Sequence, residues 1–443
     1  MRIVVVGAGI VGLSTAWTLS EAGHEVVLVE RADAPAAGAS GQNGAQLSYA
    51  FVAPLASPAT LRGLPAMLLD RDSPLRFRPG LSVDTWRWCL QFAAACRSSR
   101  AERTTHELLK LASLSRDRFA QWRATLRDAA IDFERNGKLV LYRSASAWQA
   151  AQRQVALQAP LGPAQRLCSA AECLQLEPAL GAHEAAIAGG VLTPDEEVAD
   201  CAQVCVALAQ ALSRRPGFEA HWQTEAIGWR WQGERIAALQ VRHRGQVREL
   251  QADAFVIANG VGAPGLAASL GLRLPIAPLK GYSIDLPDSA LERMPRHSIT
   301  DSAGKVVFAP LGDGAHRRLR VAGMAELVGH DLRIDARRIE QLLQAAGHWF
   351  GLRRRPIDLR PWAGLRPATP TGLPLIGAAR GWRNLYVNAG QGALGFTLAF
   401  GSAARLAALI GGPSFQELPD DSVAQPKPSA GRLQPAADRG AGR

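Results

Sequence analysis

The chain opens on Ile3-Val4-Val5-Val6, an apolar, β-branched run of the kind a buried parallel strand uses. The period then changes: apolar positions follow helical spacing from Ile10 to about Glu21, Gly23 closes the helix, and Val26-Val27-Leu28-Val29 reads as a second strand ending at Glu30. Residues 35–61 show neither period and are rich in Ala, Gly, Ser, Asn and Gln, over a length far beyond the usual connection of about 4–6 residues. From 83 to 130 the pattern is helical. Trp86, Leu90 and Phe92 form one expected apolar cluster, and Leu108, Leu109, Leu111, Leu114, Phe119 and Trp122 a second, with Arg116, Arg118 and Arg123 on a solvated face. A strand at 137–142, a helix at 146–158 and a strand near 186–192 follow.

Thr193-Pro194-Asp195-Glu196-Glu197 reads as an acidic turn, and Asp200 as the N-cap of a helix at 201–212. Three strands are expected at 218–221, 227–231 and 236–241. A buried one, Ala254-Phe255-Val256-Ile257-Ala258, ends in Asn259-Gly260 and returns the chain to the first sheet. Lys280 to Leu286 alternates as a strand. Val306-Val307-Phe308 and Leu319-Arg320-Val321 pair as a hairpin through Gly312-Asp313-Gly314, and Ile339, Leu342, Leu343 and Ala346 share a helix face. After Trp362 come a strand at 385–387, the loop Asn388-Ala389-Gly390-Gln391-Gly392-Ala393-Leu394-Gly395 and a helix at 396–410. The expected fold is α/β: a discontinuous Rossmann-type domain (1–82, 193–273, 360–412), a second antiparallel-sheet α+β domain (83–192, 274–359), and a disordered Pro-, Gly-, Ala- and Arg-rich tail at 413–443.

At 443 residues, 47% apolar and 20% charged, the chain is globular and long enough for two joined domains. Its net charge of +11 favours anionic surroundings such as a lipid headgroup layer. No nucleic-acid motif or basic stripe with interleaved aromatics is present, so no nucleic-acid partner is expected. The six cysteines contain no C-x-x-C pair, so no metal is expected either. Cys201 and Cys205 share a helix face as small hydrophobes. Met1-Arg2 and the apolar run superficially suit a leader peptide, but the glycines that follow do not suit cleavage, and a cytoplasmic location is expected. The charge-free stretches 254–272 and 384–404 are broken by glycines and read as strand–turn–helix units, not membrane spans.

The chemistry begins in the first turn, Gly7-Ala8-Gly9-Ile10-Val11-Gly12. Gly7 makes the turn, Gly9 lets a pyrophosphate approach the backbone, and Gly12 lets helix and strand pack closely. The helix N-terminus offers N–H groups and a positive dipole end to phosphates. Glu30, 23 residues beyond Gly7, stands where an acid accepts hydrogen bonds from an adenosine ribose. Ser40-Gly41-Gln42-Asn43-Gly44-Ala45-Gln46 is a loop suited to threading over phosphates or a flat heterocycle, and Asn259-Gly260 is a second strand-end turn of the same use.

The runs from Val4 to Gly12, Pro278-Leu279-Lys280-Gly281-Tyr282-Ser283, Gly323-Met324-Ala325-Glu326, Gly364-Leu365-Arg366-Pro367 and Gly395-Phe396-Thr397 together resemble the flavin-dependent amino acid oxidase family. Within it they are nearest the small subunits of bacterial D-amino acid dehydrogenases, and the resemblance spans residues 1 to about 412. It implies noncovalent FAD, hydride transfer from an amino acid Cα to flavin N5, hydrolysis to a 2-oxo acid and ammonia, and electrons passed to a quinone or other respiratory carrier at the membrane. FAD contacts are then expected at Gly7, Gly9, Ile10, Val11, Gly12, Glu30, Arg31, Ser40, Asn43, Gln46, Asn259, Gly260, Gly364, Gly390, Gln391, Gly392, Leu394, Gly395, Phe396 and Thr397. Two departures bear on substrate range or acceptor choice: Gln391 stands where the family often has His, and Asn43-Gly44-Ala45-Gln46 reorders the usual Asn-Ala-Gly-Gln.

The residues suit this chemistry. A glycine-rich helix start near Gly395 is a preorganised positive end for charge developing on the flavin pyrimidine. Arg366 is the expected carboxylate clamp, because a guanidinium fork matches two carboxylate oxygens, against the alternative of an arginine bridging the domains. Tyr282 is expected to add a hydroxyl, against a packed strand tyrosine, and Tyr49 and Phe51 to wall the pocket. Other readings are an oxygen-using oxidase of glycine, sarcosine or a proline derivative, a noncatalytic FAD-binding subunit and, more distantly, a nicotinamide dehydrogenase.

Overall fold

A computed structural model describes residues 1–411 except 70–72, 78–81, 126–128, 161, 163 and 182; the expected tail lies outside the described residues. Among these residues the strand Arg2–Val6 is central to a six-stranded sheet. The order is Leu375–Ala378, Leu385–Ala389, Ala254–Ile257, Arg2–Val6, Glu25–Val29 and Phe218–His221. All neighbours are parallel except the outermost pair, Leu375–Ala378 on Leu385–Ala389. Such a sheet must be covered on both faces. Ile3 and Val5 pack under the helices Ile10–Glu21, Cys201–Ser213 and Gly395–Gly411. Val4 and Val6 pack against Trp229, Ile236, Leu239 and Val241 of a separate three-stranded sheet, Thr224–Gln232, Arg235–His243 and Gln246–Leu250.

The first turn is held by contact as much as by backbone preference. Gly7 has φ +110°, and the Gly7 carbonyl oxygen sits 1.8 Å from where a Cβ on Gly12 would be. Only a residue without a side chain lets helix and strand approach this closely.

The second sheet has nine strands among the described residues. Its order is Trp362–Ala368, Ala277–Pro287, Arg318–Leu327, Val306–Leu311, Ser298–Asp301, Lys138–Tyr142, Gly189–Thr193 and Arg166–Cys168, with Leu75–Phe77 beside Arg318–Leu327. It is mixed, because Ser298–Asp301 on Lys138–Tyr142 and Leu75–Phe77 on Arg318–Leu327 are parallel. The helix Ala336–Phe350 covers one face through Ile339, Leu342, Leu343 and Ala346, as its spacing indicates.

Several expectations are corrected by packing. The helix Ser98–Thr125, expected with the second domain, lies on the Rossmann side, where Phe119 meets Phe396 and Phe400 at 6.1 and 5.3 Å between ring centroids. Trp362–Ala368, expected with the first domain, is an edge strand of the second sheet, and Leu75–Phe77 joins that sheet too. Phe218–His221 belongs to the Rossmann sheet rather than to a run with its two successors. Trp86 and Leu90 do not cluster with Phe92: Phe92 is buried, whereas they point outward. Cys201 and Cys205 are both fully buried. Among the described residues Gly392–Gly411 is long and apolar enough to cross a membrane, but it packs between the helices Ile10–Glu21 and Ser98–Thr125.

A buried charge network ties the two sheets together. Asp200 caps its helix by accepting the N–H groups of Ala202 and Gln203 at 3.0 and 3.4 Å. Its other oxygen accepts Arg318 at 2.7 Å and Arg320 at 3.2 Å. Arg320 forks onto Asp285 at 2.6 and 2.8 Å and reaches the Asn43 carbonyl at 3.4 Å.

Two stability outcomes follow. Gly12→Ala forces the first helix off its strand; overpacking of this kind costs about 1–3 kcal/mol, so Tm should fall, and an unchanged Tm would refute the close-packing account. Arg320→Met takes the fork from Asp285 and one of two arginines from Asp200, leaving both to Arg318 alone, and should cost roughly 3–5 kcal/mol in denaturant unfolding. Arg318→Met should cost less, because that side chain is more exposed, and the reverse order would sink the assignment.

Candidate active site

Parallel strands deliver their C-terminal ends to one edge of the sheet, where open α/β sheets bind ligands. Gly7, Asn259 and Gly390 stand there, one after each of three adjacent or near-adjacent strands. The N-cap of the first helix is Gly9, which has no side-chain acceptor, and no acidic residue occupies that helix's first turn. The backbone N–H of Ile10 donates to the buried Ser40 Oγ at 3.0 Å, so Ser40 braces the turn. Val11 is half-buried behind it.

Glu30 braces the same turn. Its carboxylate accepts the N–H of Ala8 at 2.7 Å and of Ala32 at 2.9 Å, and a carboxylate retains further acceptor positions for ribose hydroxyls. Arg31 lines a surface pocket of about 530 Å³ with Gln223, Glu225, Arg242 and Arg244. Asn259 Oδ1 is buried without a hydrogen-bond partner, and the space before Gly260 is open.

The helix Gly395–Gly411 starts after the turn Gly392–Leu394, with open space before Gly395 and no acidic residue in its first turn. Thr397 Oγ1 accepts the N–H of Ser48 at 3.1 Å, Phe396 is buried, and Leu394 packs at the core margin. Gln391 is turned inward: its Nε2 donates to Asn388 Oδ1 at 2.7 Å, and Asn388 Nδ2 to Thr15 Oγ1 at 2.9 Å. Its side chain is thereby committed to packing the loop onto the first helix.

In the loop after Glu30, Asn43 Oδ1 accepts the N–H of Ala45, whose φ is +57°. Gln46 Nε2 donates to the carbonyls of Ile299 and Phe308 at 3.2 and 3.4 Å, so that side chain is anchored in the second sheet. Ser283 Oγ donates to the Gln42 carbonyl at 2.7 Å, seating the loop on that sheet's face.

The pleat decides what shares this face. Alternate residues of a strand point to opposite faces, and residues directly opposite across a pair point to the same one. Arg366 lies opposite Leu279, Gly364 opposite Gly281 and Trp362 opposite Ser283, all on the loop side. A Cβ on Gly281 would fall 2.3–2.4 Å from the Arg366 guanidinium, and one on Gly364 only 2.0 Å from the Trp362 ring. Two facing glycines thus make a floor covered by a guanidinium and an indole. Gly364, expected in the nucleotide cradle, is a floor glycine beneath Trp362.

Arg366 Nη1 donates to the Met324 carbonyl at 2.7 Å. Met324 has φ +64° and sits where the pairing of Ala277–Pro287 with Arg318–Leu327 slips register. No carboxylate among the described residues pairs with this guanidinium. Burial without a counter-ion lowers its pKa to about 10, which leaves it charged at neutral pH.

Tyr282 is on the opposite face. It is buried among Ile284, Leu286 and the helix Ala336–Phe350, and its hydroxyl donates to Glu326 Oε2 at 2.9 Å, while Arg338 Nε donates to Glu326 Oε1 at 2.7 Å. It is a packed strand tyrosine and not a carboxylate ligand. Tyr49 is likewise buried, its hydroxyl donating to Glu197 Oε2 at 3.0 Å, so it does not wall an open pocket. Phe51, by contrast, is 37% exposed.

Sequence reasoning did not single out Trp362, Met324, Gly281, Lys138 or Glu196. Met324, Gly281 and Glu196 stand inside runs it did quote, but only strand pairing shows what they face.

A dinucleotide fits what is present: a helix start without an acid, a glycine turn too close for any side chain, an orphaned amide oxygen on Asn259, and a second open helix start at Gly395. A family model described as FAD dependent oxidoreductase (DAO) matches residues 2–409. D-amino acid dehydrogenase 2 of Ralstonia nicotianae is 46% identical over 418 residues, covering 93% of this chain and 96% of that protein. D-amino acid dehydrogenase 2 of Pseudomonas aeruginosa is 42% identical over 417 residues, covering 93% and 95%. The crystal structure of glycine oxidase from Geobacillus kaustophilus shares the fold, with a TM-score of 0.72 at 22% identity over 94% of this chain and 96% of that one. By its cradle and by a match that runs almost from end to end of the described residues, the chain belongs to the family of FAD-dependent oxidoreductases.

Proposed function

We propose that the chain is a D-amino acid dehydrogenase, converting a D-amino acid to its 2-oxo acid and ammonia and passing the electrons to a respiratory quinone. The observation that carries this reading is Arg366: a half-buried guanidinium with no acidic partner among the described residues, over a floor made by Gly281 and Gly364. A lone, half-buried cation calls for an anion, and the fork matches a carboxylate. The similarity to dehydrogenases at 46% and 42% identity supports the substrate class.

Bound FAD supplies the two-electron acceptor, held by the turn from Gly7 to Gly12, Glu30, Asn259 and the turn before Gly395. Arg366 orients the substrate through its carboxylate, and positioning of this kind supplies much of a rate enhancement. The facing glycines give the Arg366 guanidinium and the Trp362 ring room to lie flat on the sheet. The acid-free N-terminus of Gly395–Gly411 would offer a positive dipole end to the negative charge that a bound flavin gains. No side-chain base is needed once the substrate amine is neutral.

We further propose that the protein works at the inner face of the cell membrane. The helix Val83–Ala95 is apolar on two sides. Trp88, Phe92 and Ala95 are buried against Ala277 and Leu327, and Trp88 Nε1 donates to the Ala368 carbonyl at 2.9 Å, two residues past Arg366. Val83, Trp86 and Leu90 face outward, 72%, 50% and 72% exposed, beside the exposed Arg87 and Arg97. An outward stripe of Trp and aliphatics flanked by arginines matches an anionic lipid interface.

Screening D- and L-amino acids, glycine and sarcosine with a dye acceptor tests the reaction. Turnover of D-amino acids is expected, and peroxide released in step with turnover in air would favour an oxidase instead. Arg366→Leu should keep its flavin and lose roughly 30- to 4,000-fold in kcat/KM, the equivalent of about 2–5 kcal/mol for breaking a buried charge pair. An amino acid amide should suffer far less, and equal losses on acid and amide would show that Arg366 is structural.

Trp86→Ser with Leu90→Ser should abolish cosedimentation with phosphatidylglycerol vesicles while dye-linked turnover persists. Undiminished cosedimentation would place the membrane face elsewhere.

A further inference from the structure

Lys138 and Glu196 are brought together from sequence positions that share no motif. Lys138 opens the strand Lys138–Tyr142 of the second sheet, and Glu196 lies in the turn after Gly189–Thr193, its antiparallel neighbour. Their side chains are 3% and 1% exposed, and Lys138 Nζ lies 3.9 Å from Glu196 Oε2. Burial lowers the Lys138 pKa to about 8 and raises that of Glu196. Replacing a buried pair of this kind by apolar residues of similar volume is often neutral or stabilising, so stability alone is a poor reason for it.

Among the described residues, the other side-chain polar contacts of the pair go to one segment. Lys138 Nζ donates to Ser48 Oγ at 2.6 Å and stands 4.6 Å from the centroid of the Phe51 ring. Glu196 Oε1 accepts the N–H of Ala50 at 2.8 Å and of Phe51 at 3.3 Å. Neighbours complete the hold: Gln158 Nε2 donates to the Ala50 carbonyl at 3.1 Å, and Ser48 N–H to Thr397 Oγ1 at 3.1 Å. The segment therefore starts at the helix end expected to face the flavin. It then runs to Pro54, whose Cβ lies 3.0 Å from where a Cβ on Gly372 would be, and to Ala56, which packs in one cluster with Ala277, beside Ala368. It spans the site from Thr397 to just past Arg366. Tyr49 and Ala50 turn into the protein, whereas Phe51 alone presents a large, partly exposed ring.

We propose that the Lys138–Glu196 pair is a positioning device for residues 48–51, and that through it Phe51 selects which substrate side chains the site admits. This rests on the amino acid reading given above. A cation over the ring face and two hydrogen bonds to the backbone fix the ring's place more narrowly than apolar packing does. Lys138 and Glu196 touch the segment, and Phe51 meets the substrate.

The experiment is a double-mutant cycle on selectivity in the FAD-loaded enzyme, with flavin content and Tm recorded for each variant. The readout is the ratio of kcat/KM for D-phenylalanine to that for D-alanine. Phe51→Ala should raise the ratio about tenfold or more, the scale on which an apolar wall discriminates. Lys138→Met should move it the same way, with KM carrying most of the change. In the Phe51→Ala background, Lys138→Met should add nothing, because its target is gone. If Lys138→Met folds poorly, Lys138→Met with Glu196→Gln removes both charges and should recover Tm, yet keep the shifted ratio. An unchanged ratio in flavin-loaded Lys138→Met, additive effects in the cycle, or recovery of the ratio together with Tm would each overturn the proposal. Absence of turnover on every amino acid with wild-type enzyme would instead refute the reaction assignment and leave the pair's contacts as they are.

Discussion

The arrangement of the two sheets depends on one carboxylate. Asp200 spends one oxygen on the start of the helix Cys201–Ser213 in the Rossmann layer and the other on Arg318 and Arg320 of the second sheet. Arg320 then forks onto Asp285 and reaches the Asn43 carbonyl. A helix end, a sheet and the loop between them share a single charge-assisted node. Such bonds are shorter and more directional than neutral ones. The node fixes how far Arg366 stands from the glycine turns on the other side of the cleft, and that separation is what any two-site ligand arrangement needs.

The field across the cleft has one sign. The first helix and the helix Gly395–Gly411 both lack acids in their opening turns, and Arg366 has no carboxylate beside it among the described residues. Most carboxylates that the region does contain are taken up elsewhere: Glu326 by Tyr282 and Arg338, Glu197 by Tyr49, and Glu196 by backbone N–H groups beside Lys138, with Glu30 at the first turn the exception. The result is a preorganised positive environment assembled mostly from backbone dipoles, which need no reorganisation when an anion arrives.

Legibility in the sequence followed the range of the interactions. The first strand, turn and helix were readable because the Gly7 to Gly12 contact is local and no other residue type satisfies it. Helix faces such as Ile339, Leu342, Leu343 and Ala346 were readable from period alone. Tyr282 and Arg366 mark where this stops. Both sit in quoted runs on neighbouring strands, yet the parity of the pleat sends one to the helix side and the other to the cleft, and parity across a pair is set by register. Trp86 failed for a related reason: Val83–Ala95 carries two apolar stripes, and a sequence does not say which is covered. Glu196 read only as part of an acidic turn and Lys138 gave no local signal, because their meeting is a product of strand pairing. The resemblance of the quoted runs supplied the family and its cofactor, and the proposed carboxylate clamp at Arg366 drew on guanidinium chemistry together with that same resemblance.

The facing glycines Gly281 and Gly364 carry a consequence for how such a protein diversifies. A methyl group at either position would occupy the place of the Arg366 guanidinium or the Trp362 ring. The floor is therefore closed to gradual change: any replacement there displaces a neighbour before it can touch a new ligand. Heritable variation in what the cleft accepts is channelled into the walls, where side chains differ in size without colliding with Arg366. Descendants of this chain can drift in diet while the point at which they grip it stays still.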